Sequence, residues 1–319
     1  RRLFTFIQVR HLGRAGEILP PAVIPEFGYY IPGIRDAFQS FQEFRAKVAW
    51  KAGAPVAALL IQQSFWITND TKVIDAQIRG LEAAGFSVAT LFGDRGEQVE
   101  KMLRELKPDL IVEDRHGSIW VEGGSRSLIE ELDVPYLRPI SMLGYTIEEW
   151  QKDPRGLAYK DVSLFLTLQE SKGTMEPIVN GGLKASIQGF HLHEPIPDRV
   201  ERFAKRAASW VALRRKPNAE KKLAIVYFNK SLGKDDLLRG SPTGAFLDGP
   251  ASLVRFLPRL KDSGYKVGPL PKDVAELLAL VRERGRNIAP WAQGEVEAMA
   301  EEAEVDLAER SGGAGERQP

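Results

Sequence analysis

From Pro55 onward, apolar runs of strand length alternate with segments of helical periodicity, and no other feature restricts the possible folds as much. PVAALLIQQ starts the series, bounded by Gly53 and Pro55. A polar loop, SFWITND, leads into TKVIDAQIRGLEAAG, where Val73, Ile74, Gln77, Ile78 and Leu81 keep helical spacing and Gly85 is placed as a C-terminal cap. FSVATLF then reads as a strand, RGEQVEKMLRELK as a helix with Val99, Met102, Leu103 and Leu106 on one face, and PDLIVED as a strand. A helix over about 125–132 leads into VPYLRPI. Strands apolar on both faces, alternating with helices of this length, predict βαβ units on a parallel sheet covered from both sides.

The alternation lapses over 141–197, where DVSLFLTLQE is the best strand. A helix is predicted over 197–216, with Val200, Phe203, Ala204, Ala207, Trp210 and Val211 as its apolar stripe and Pro197 near its first turn. Arg199, Arg202, Arg206 and Arg214 lie mostly off the stripe, as a solvated basic face or a surface for an acidic partner. After Pro217-Asn218 the pattern resumes: KKLAIVYF as a strand, a long loop, PASLVRFLPRLKDSG as a helix interrupted at Pro258, then YKV as a strand. LEAAGFSV and LKDSGYKV share L-x-x-x-G-aromatic-x-V, a helix end passing through a glycine cap. The fold class expected is α/β, with tandem Rossmann-like (flavodoxin-like) units whose parallel sheets are flanked by helices. The division expected is an N-terminal segment cut from a longer chain (1–52), a first unit (53–150), a mixed region ending in a long helix (151–221), a second, incomplete unit (222–307) and a polar tail (308–319).

Composition removes several function classes. Lys and Arg number 44 against 43 Asp and Glu, so no net field recruits nucleic acid or an anionic membrane. The chain has no cysteine. That eliminates disulfides, thiolate metal sites and cysteine nucleophiles, and it fits a reducing compartment, here expected to be the cytoplasm. No apolar run approaches the ~20 residues a membrane span needs.

The loop after KKLAIVYF carries Gly233-Lys234 where phosphate loops sit. A Walker A loop needs G-x-x-x-x-G-K-[ST], and here Phe228 occupies the first glycine and Asp235 the hydroxyl position. The nucleotide reading is therefore rejected. The loop still offers Lys230, Lys234 and Arg239 at a strand's carboxyl end, where open parallel sheets bind ligands; an irregular surface connection is the alternative. The matching loop of the first unit offers Gln62 and Trp66, with Phe65 and Asp70. Amides beside aromatics suit a flat ring, or the aromatics cap the core. The third carboxyl end, IVEDRHGS, presents Glu113, Asp114, Arg115 and His116, the histidine as a proton shuttle, a metal ligand or a structural turn residue. His191 and His193 would share one face of a strand as half of a metal site. The G-x-S-x-G, H-E-x-x-H and G-x-G-x-x-G motifs are all absent.

Four segments in order resemble the large subunit of the cobaltochelatase and magnesium-chelatase family. They are TKVIDAQIRGLEAAGFSVATLF; QESKGTMEPIVNGG, built on Glu170, Gly173, Glu176, Pro177 and Ile178; PIPDRVERFAKRAASWVALRRKPNAEKKLAIVYF; and GSPTGAFLDGPASLVRFLPRLKDSGYKV, with Gly244, Leu247, Asp248, Ser252 and Leu253 in place. The resemblance runs from about Pro55 to about Trp291. It implies a subunit that binds a tetrapyrrole while AAA+ ATPase subunits hydrolyse ATP. Cobalt or magnesium is then a substrate ion, and no tightly bound cofactor is expected. The cobalt branch, acting on a corrin precursor of the hydrogenobyrinic acid a,c-diamide type in cobalamin biosynthesis, is preferred over the magnesium branch acting on protoporphyrin IX. A non-catalytic docking module for the AAA+ subunits is the rival of another class, and an unrelated two-domain small-molecule binding protein a third possibility. Within the chelatase reading, Glu113 and His116 are candidate catalytic groups, and Gln62, Trp66, Arg115, Lys230, Lys234 and Arg239 candidate ring contacts. These roles follow from loop position.

Overall fold

The computed structural model describes residues 2–20, 23–93, 97–116, 128–185, 191–225 and 248–284. The chain divides into two units, Arg1–Arg215 and Lys216–Pro319. The first begins with α1 (Arg2–Leu12), β1 (Phe27–Tyr30), α2 (Phe41–Arg45), β2 (Val56–Ile61), α3 (Gln63–Thr68), α4 (Lys72–Ala83), β3 (Ser87–Gly93), α5 (Glu97–Leu106), β4 (Leu110–Asp114), α6 (Leu128–Leu132) and β5 (Tyr136–Leu137). The five strands form a sheet of order β1-β3-β2-β4-β5. β2 pairs in parallel with β3 and β4, and β4 with β5. Counting the parallel strands alone, the order is 2-1-3-4, the flavodoxin-like arrangement.

Strand β1 has no counterpart in the sequence reading. FGYY is too short to announce itself among the turn residues around it, and it becomes a strand by pairing antiparallel with the free edge of β3. β2 is apolar on both faces because both are covered. Ala57, Leu59 and Ile61 belong to a core with Ile74, Ile78 and Leu81 of α4, while Ala58 and Leu60 belong to one with Val99, Met102 and Leu103 of α5. SFWITND, expected to be a loop, folds as α3 and ends at Asn69, whose φ of 60° is left-handed. Phe65 packs inward and stabilises that turn of helix.

The chain continues through β6 (Ile140–Thr146), α7 (Ile147–Lys152), α8 (Tyr159–Asp161), a π-helical stretch (Val162–Thr167), α9 (Leu168–Glu170), β7 (Val179–Ala185), β8 (His191–Pro195) and α10 (Pro197–Arg215). β6, β7 and β8 form a second sheet in that order, with β6 and β7 parallel and β8 antiparallel. The strand expected over DVSLFLTLQE is helical instead. Its alternating leucines suggest a period of two, but the buried residues are Asp161, Phe165 and Gln169, four apart, so packing selects the helical period. Long helix α10 forms as predicted and lays Phe203, Ala204, Ala207 and Val211 into the core it shares with α4.

Gly181 of β7 sets how closely α4 approaches the second sheet. A Cβ there would lie 2.6 Å from Val73 Cγ2 and 2.9 Å from the Glu194 carbonyl oxygen. Gly181→Ala is expected to destabilise the fold by about 1–3 kcal/mol through overpacking, read as a lower urea midpoint at unchanged slope.

In the second unit a 3₁₀ turn (Asn218–Glu220) precedes α11 (Gly249–Asp262) and α12 (Val274–Arg284). Asp248 caps α11 by accepting from Ala251 N at 2.9 Å. The helix runs on through Pro258 where an interruption was expected, since proline removes its own N–H and leaves the flanking bonds. Of the strand expected over KKLAIVYF, Lys221–Ile225 is not in a ladder and 226–228 lies outside the described residues; Tyr265–Val267 is likewise not a strand. A strand needs a hydrogen-bonded neighbour, and the described residues of this unit offer none. The repeated glycine cap does form twice. Gly85 and Gly264 have φ of 99° and 85°, and the aromatic after each donates its N–H back to a carbonyl of the preceding turn, Phe86 to Leu81 O at 3.1 Å and Tyr265 to Leu260 O at 3.0 Å. No helix among the described residues is long and apolar enough to cross a membrane.

Candidate functional site

Ligands of open parallel sheets bind beyond the strands' carboxyl ends, where the strand order reverses. In this sheet the reversal falls between β2 and β4. β2 exits into Gln62, β4 into Arg115 and His116, and β5 into Arg138. The two central exits are tied together, because His116 N donates to Gln62 Oε1 at 3.3 Å.

Glu113, next to last in β4, is fully buried. Its carboxylate accepts from Arg115 Nε at 2.7 Å, Arg115 Nη2 at 2.9 Å and Tyr136 Oη at 2.8 Å. A bidentate ion pair with a third donor is rigid and charge-neutral, so Glu113 and Arg115 fix the shape of this exit. Arg138, 1% exposed, donates to the Arg115 carbonyl oxygen and lies 5.4 Å from the Phe165 ring centroid.

Asp114 is held differently. Gln77 Nε2 donates to Oδ2 at 3.0 Å and Ser141 Oγ to Oδ1 at 3.3 Å. Burial pushes its carboxyl up to about 6, against the opposing pull of Gln77, Arg138, His193 and Ser141. His116 is pushed down by burial first and then by the charges of Arg138, His193 and Lys160, which keeps its ring neutral.

His193 stands on β8, and Asp70 lies in the turn between α3 and α4. Asp70 accepts from the His193 backbone N at 2.9 Å, and its Oδ2 lies 2.6 Å from His193 Nδ1. The rings of His116 and His193 both pack edge-on against Phe65, at centroid distances of 5.9 and 5.3 Å. His116 Nε2, His193 Nε2 and Gln77 Oε1 are buried without a hydrogen-bond partner among the described residues.

Of the sequence candidates, Gln62, Glu113, Arg115 and His116 therefore meet at one place. Trp66 stacks on Phe92 at 4.8 Å and covers the core beside them. His193 joins them, whereas His191 on the same strand is exposed. Lys230, Lys234 and Arg239 lie outside the described residues. Among the described residues no group of three or more His, Cys, Asp or Glu is placed to hold a metal ion. Asp70 stands in the loop singled out from the sequence, but sequence reasoning misses Gln77, Arg138 and Ser141 as members of the site. Two carry a signal: Gln77 is an amide on an apolar stripe, and Arg138 is a charge inside the apolar run VPYLRPI.

The family model described as CobN/Magnesium Chelatase matches residues 1–310. The magnesium-chelatase subunit ChlH of Oryza sativa subsp. indica, chloroplastic, is 35% identical over 240 residues, covering 70% of this chain and 17% of that protein. The aerobic cobaltochelatase subunit CobN of Pseudomonas aeruginosa is 30% identical over 286 residues, covering 84% and 22%. Among solved structures, the catalytic subunit of cobaltochelatase from Mycobacterium tuberculosis shares the fold with a TM-score of 0.65 at 20% identity, covering 89% of this chain and 23% of that one. The chain thus spans about a fifth of the length of the relatives it matches.

Proposed function

The chain belongs to the CobN/magnesium chelatase family, and on that premise we propose that it is part of the large, tetrapyrrole-binding subunit of an ATP-dependent metal chelatase. The family match over residues 1–310 carries this reading. The substrate ion is cobalt and the ring a corrin precursor of the hydrogenobyrinic acid a,c-diamide type; separate AAA+ subunits hydrolyse the ATP, in the cytoplasm. Magnesium insertion into protoporphyrin IX is the second reading, favoured by the 35% identity to the rice ChlH subunit.

Insertion replaces ring N–H bonds by bonds to the metal and so releases protons, one from the monoanionic corrin ligand and two from a porphyrin. The chemistry asks for neutral acceptors near the ring and for a desolvated ion. In this reading Gln62 and His116 border the ring's edge, the buried Glu113–Arg115 pair keeps their strand exits rigid, and Lys230, Lys234 and Arg239 engage its acidic substituents. No resident cofactor takes part.

Titrating the chain with hydrogenobyrinic acid a,c-diamide and, separately, protoporphyrin IX while following tryptophan quenching tests the proposal. Saturable binding is expected, tighter for the corrin precursor and weakened about tenfold in Gln62→Ala. Tighter binding of protoporphyrin IX would move the assignment to the magnesium branch. If neither ring binds while the chain is retained by AAA+ subunits, it is a docking module.

A further inference from the structure

We propose that His116 and His193 form a two-imidazole site for a divalent metal ion of borderline softness, cobalt rather than magnesium, where the carboxyl edge of the first sheet meets β8. The site deepens the chelatase reading and rests on it for the ion's fate, as the substrate metal on its way to the ring.

The two histidines arrive from different elements, His116 from the exit of β4 and His193 from β8. The Asp70 carboxylate can only accept, so Nδ1 of His193 is the donor of this bond and Nε2 is the ring nitrogen left to meet a ligand. A carboxylate behind an imidazole is the arrangement that orients metal-ligating histidines and raises their basicity. His193 is 7% exposed, and its Nε2 is buried with no partner among the described residues. His116 Nε2 is in the same condition. An unpaired buried ring nitrogen is unfavourable, and a cation bound to it relieves that cost. Both rings pack edge-on against Phe65, so the two segments meet at one side chain.

The donor set selects the ion. Imidazole nitrogens suit cobalt, nickel and zinc, whereas magnesium takes oxygen ligands and keeps its water. Two protein ligands leave the coordination shell open, which suits an ion that must be handed on.

The untagged chain is titrated with cobalt(II) chloride without tetrapyrrole, following the metal's visible absorption. One equivalent is expected to bind saturably, zinc to compete and a tenfold excess of magnesium to leave the signal unchanged. His116→Ala and His193→Ala should each weaken binding at least tenfold, and Asp70→Asn about 10–100-fold. His11→Ala and His191→Ala should leave it unchanged. Because buried variants can fail to fold, the wild type is also titrated with zinc by NMR. The chain has four histidines, and the ring signals of His116 and His193 should move while those of His11 and His191 stay. No saturable cobalt binding, a response at His11 or His191 instead, or displacement by magnesium at equal concentration overturns the site. Tetrapyrrole binding by a chain that does not bind cobalt would remove this site and leave the chelatase reading standing.

Discussion

Glu113→Ala is expected to lower the unfolding free energy by about 3–5 kcal/mol. The side chain is fully buried, and removing it leaves the Arg115 guanidinium, itself 6% exposed, without the carboxylate that binds it through two nitrogens, and Tyr136 Oη without the acceptor it holds at 2.8 Å. Desolvating a charge and then deleting the carboxylate opposite it exposes much of the cost of burial, which the intact pair offsets and the long bond from Arg115 Nη1 to the Gly93 carbonyl at 3.4 Å does not. Urea unfolding monitored by tryptophan fluorescence reads the effect. A loss below about 1 kcal/mol would mean that water reaches Arg115 and that the pair does not hold the exit of β4.

The neighbouring carboxylate should respond with the opposite sign. Asp114→Asn is expected to stabilise the fold at pH 7 by up to about 3 kcal/mol, since burial raises this carboxyl from 3.8 to about 6 and each unit corresponds to about 1.4 kcal/mol. A raised folded-state value means that the group favours folding while protonated. Its contribution is complete below about pH 4, fades as pH rises towards 6, and is absent at pH 7, where the wild type buries an ionised Asp114 and the variant does not. Parallel denaturation of both proteins at pH 4 and pH 7, with a chelator present, should show the advantage of the asparagine variant at pH 7 alone. A variant less stable than wild type at pH 7 would show that the bonds from Gln77 and Ser141 and the charge of Arg138 outweigh the burial. Adjacent carboxylates thus diverge because Glu113 owns an ion pair and Asp114 owns neutral donors.

Much of the first unit was legible in the sequence because its signals are local. The stripe from Val73 to Leu81 needs only helical spacing, and the caps at Gly85 and Gly264 need only the freedom of glycine at positive φ. Failures came where a segment's state depended on what it met. FGYY required the edge of β3, DVSLFLTLQE followed the burial of Asp161, Phe165 and Gln169, and Lys221–Ile225 has no neighbour to pair with among the described residues. The site was half legible. Gln62, Glu113, Arg115 and His116 are marked by standing at the carboxyl ends of apolar strands and Asp70 by sharing the loop of Gln62, whereas Gln77, Arg138 and Ser141 carry no positional mark strong enough to be chosen.

By itself the sequence determined a parallel α/β unit, the places where its strands end, and the residues that stand at those ends. Periodicity and capping act over a few residues, so they can be read without knowing the rest of the chain. The tertiary structure alone decided that His193, from a strand of another sheet, reaches Asp70 and Phe65 beside His116 while His191, two residues away, faces solvent. That choice depends on which face of β8 packs against the turn after α3, a contact between segments far apart in the chain that no local pattern encodes.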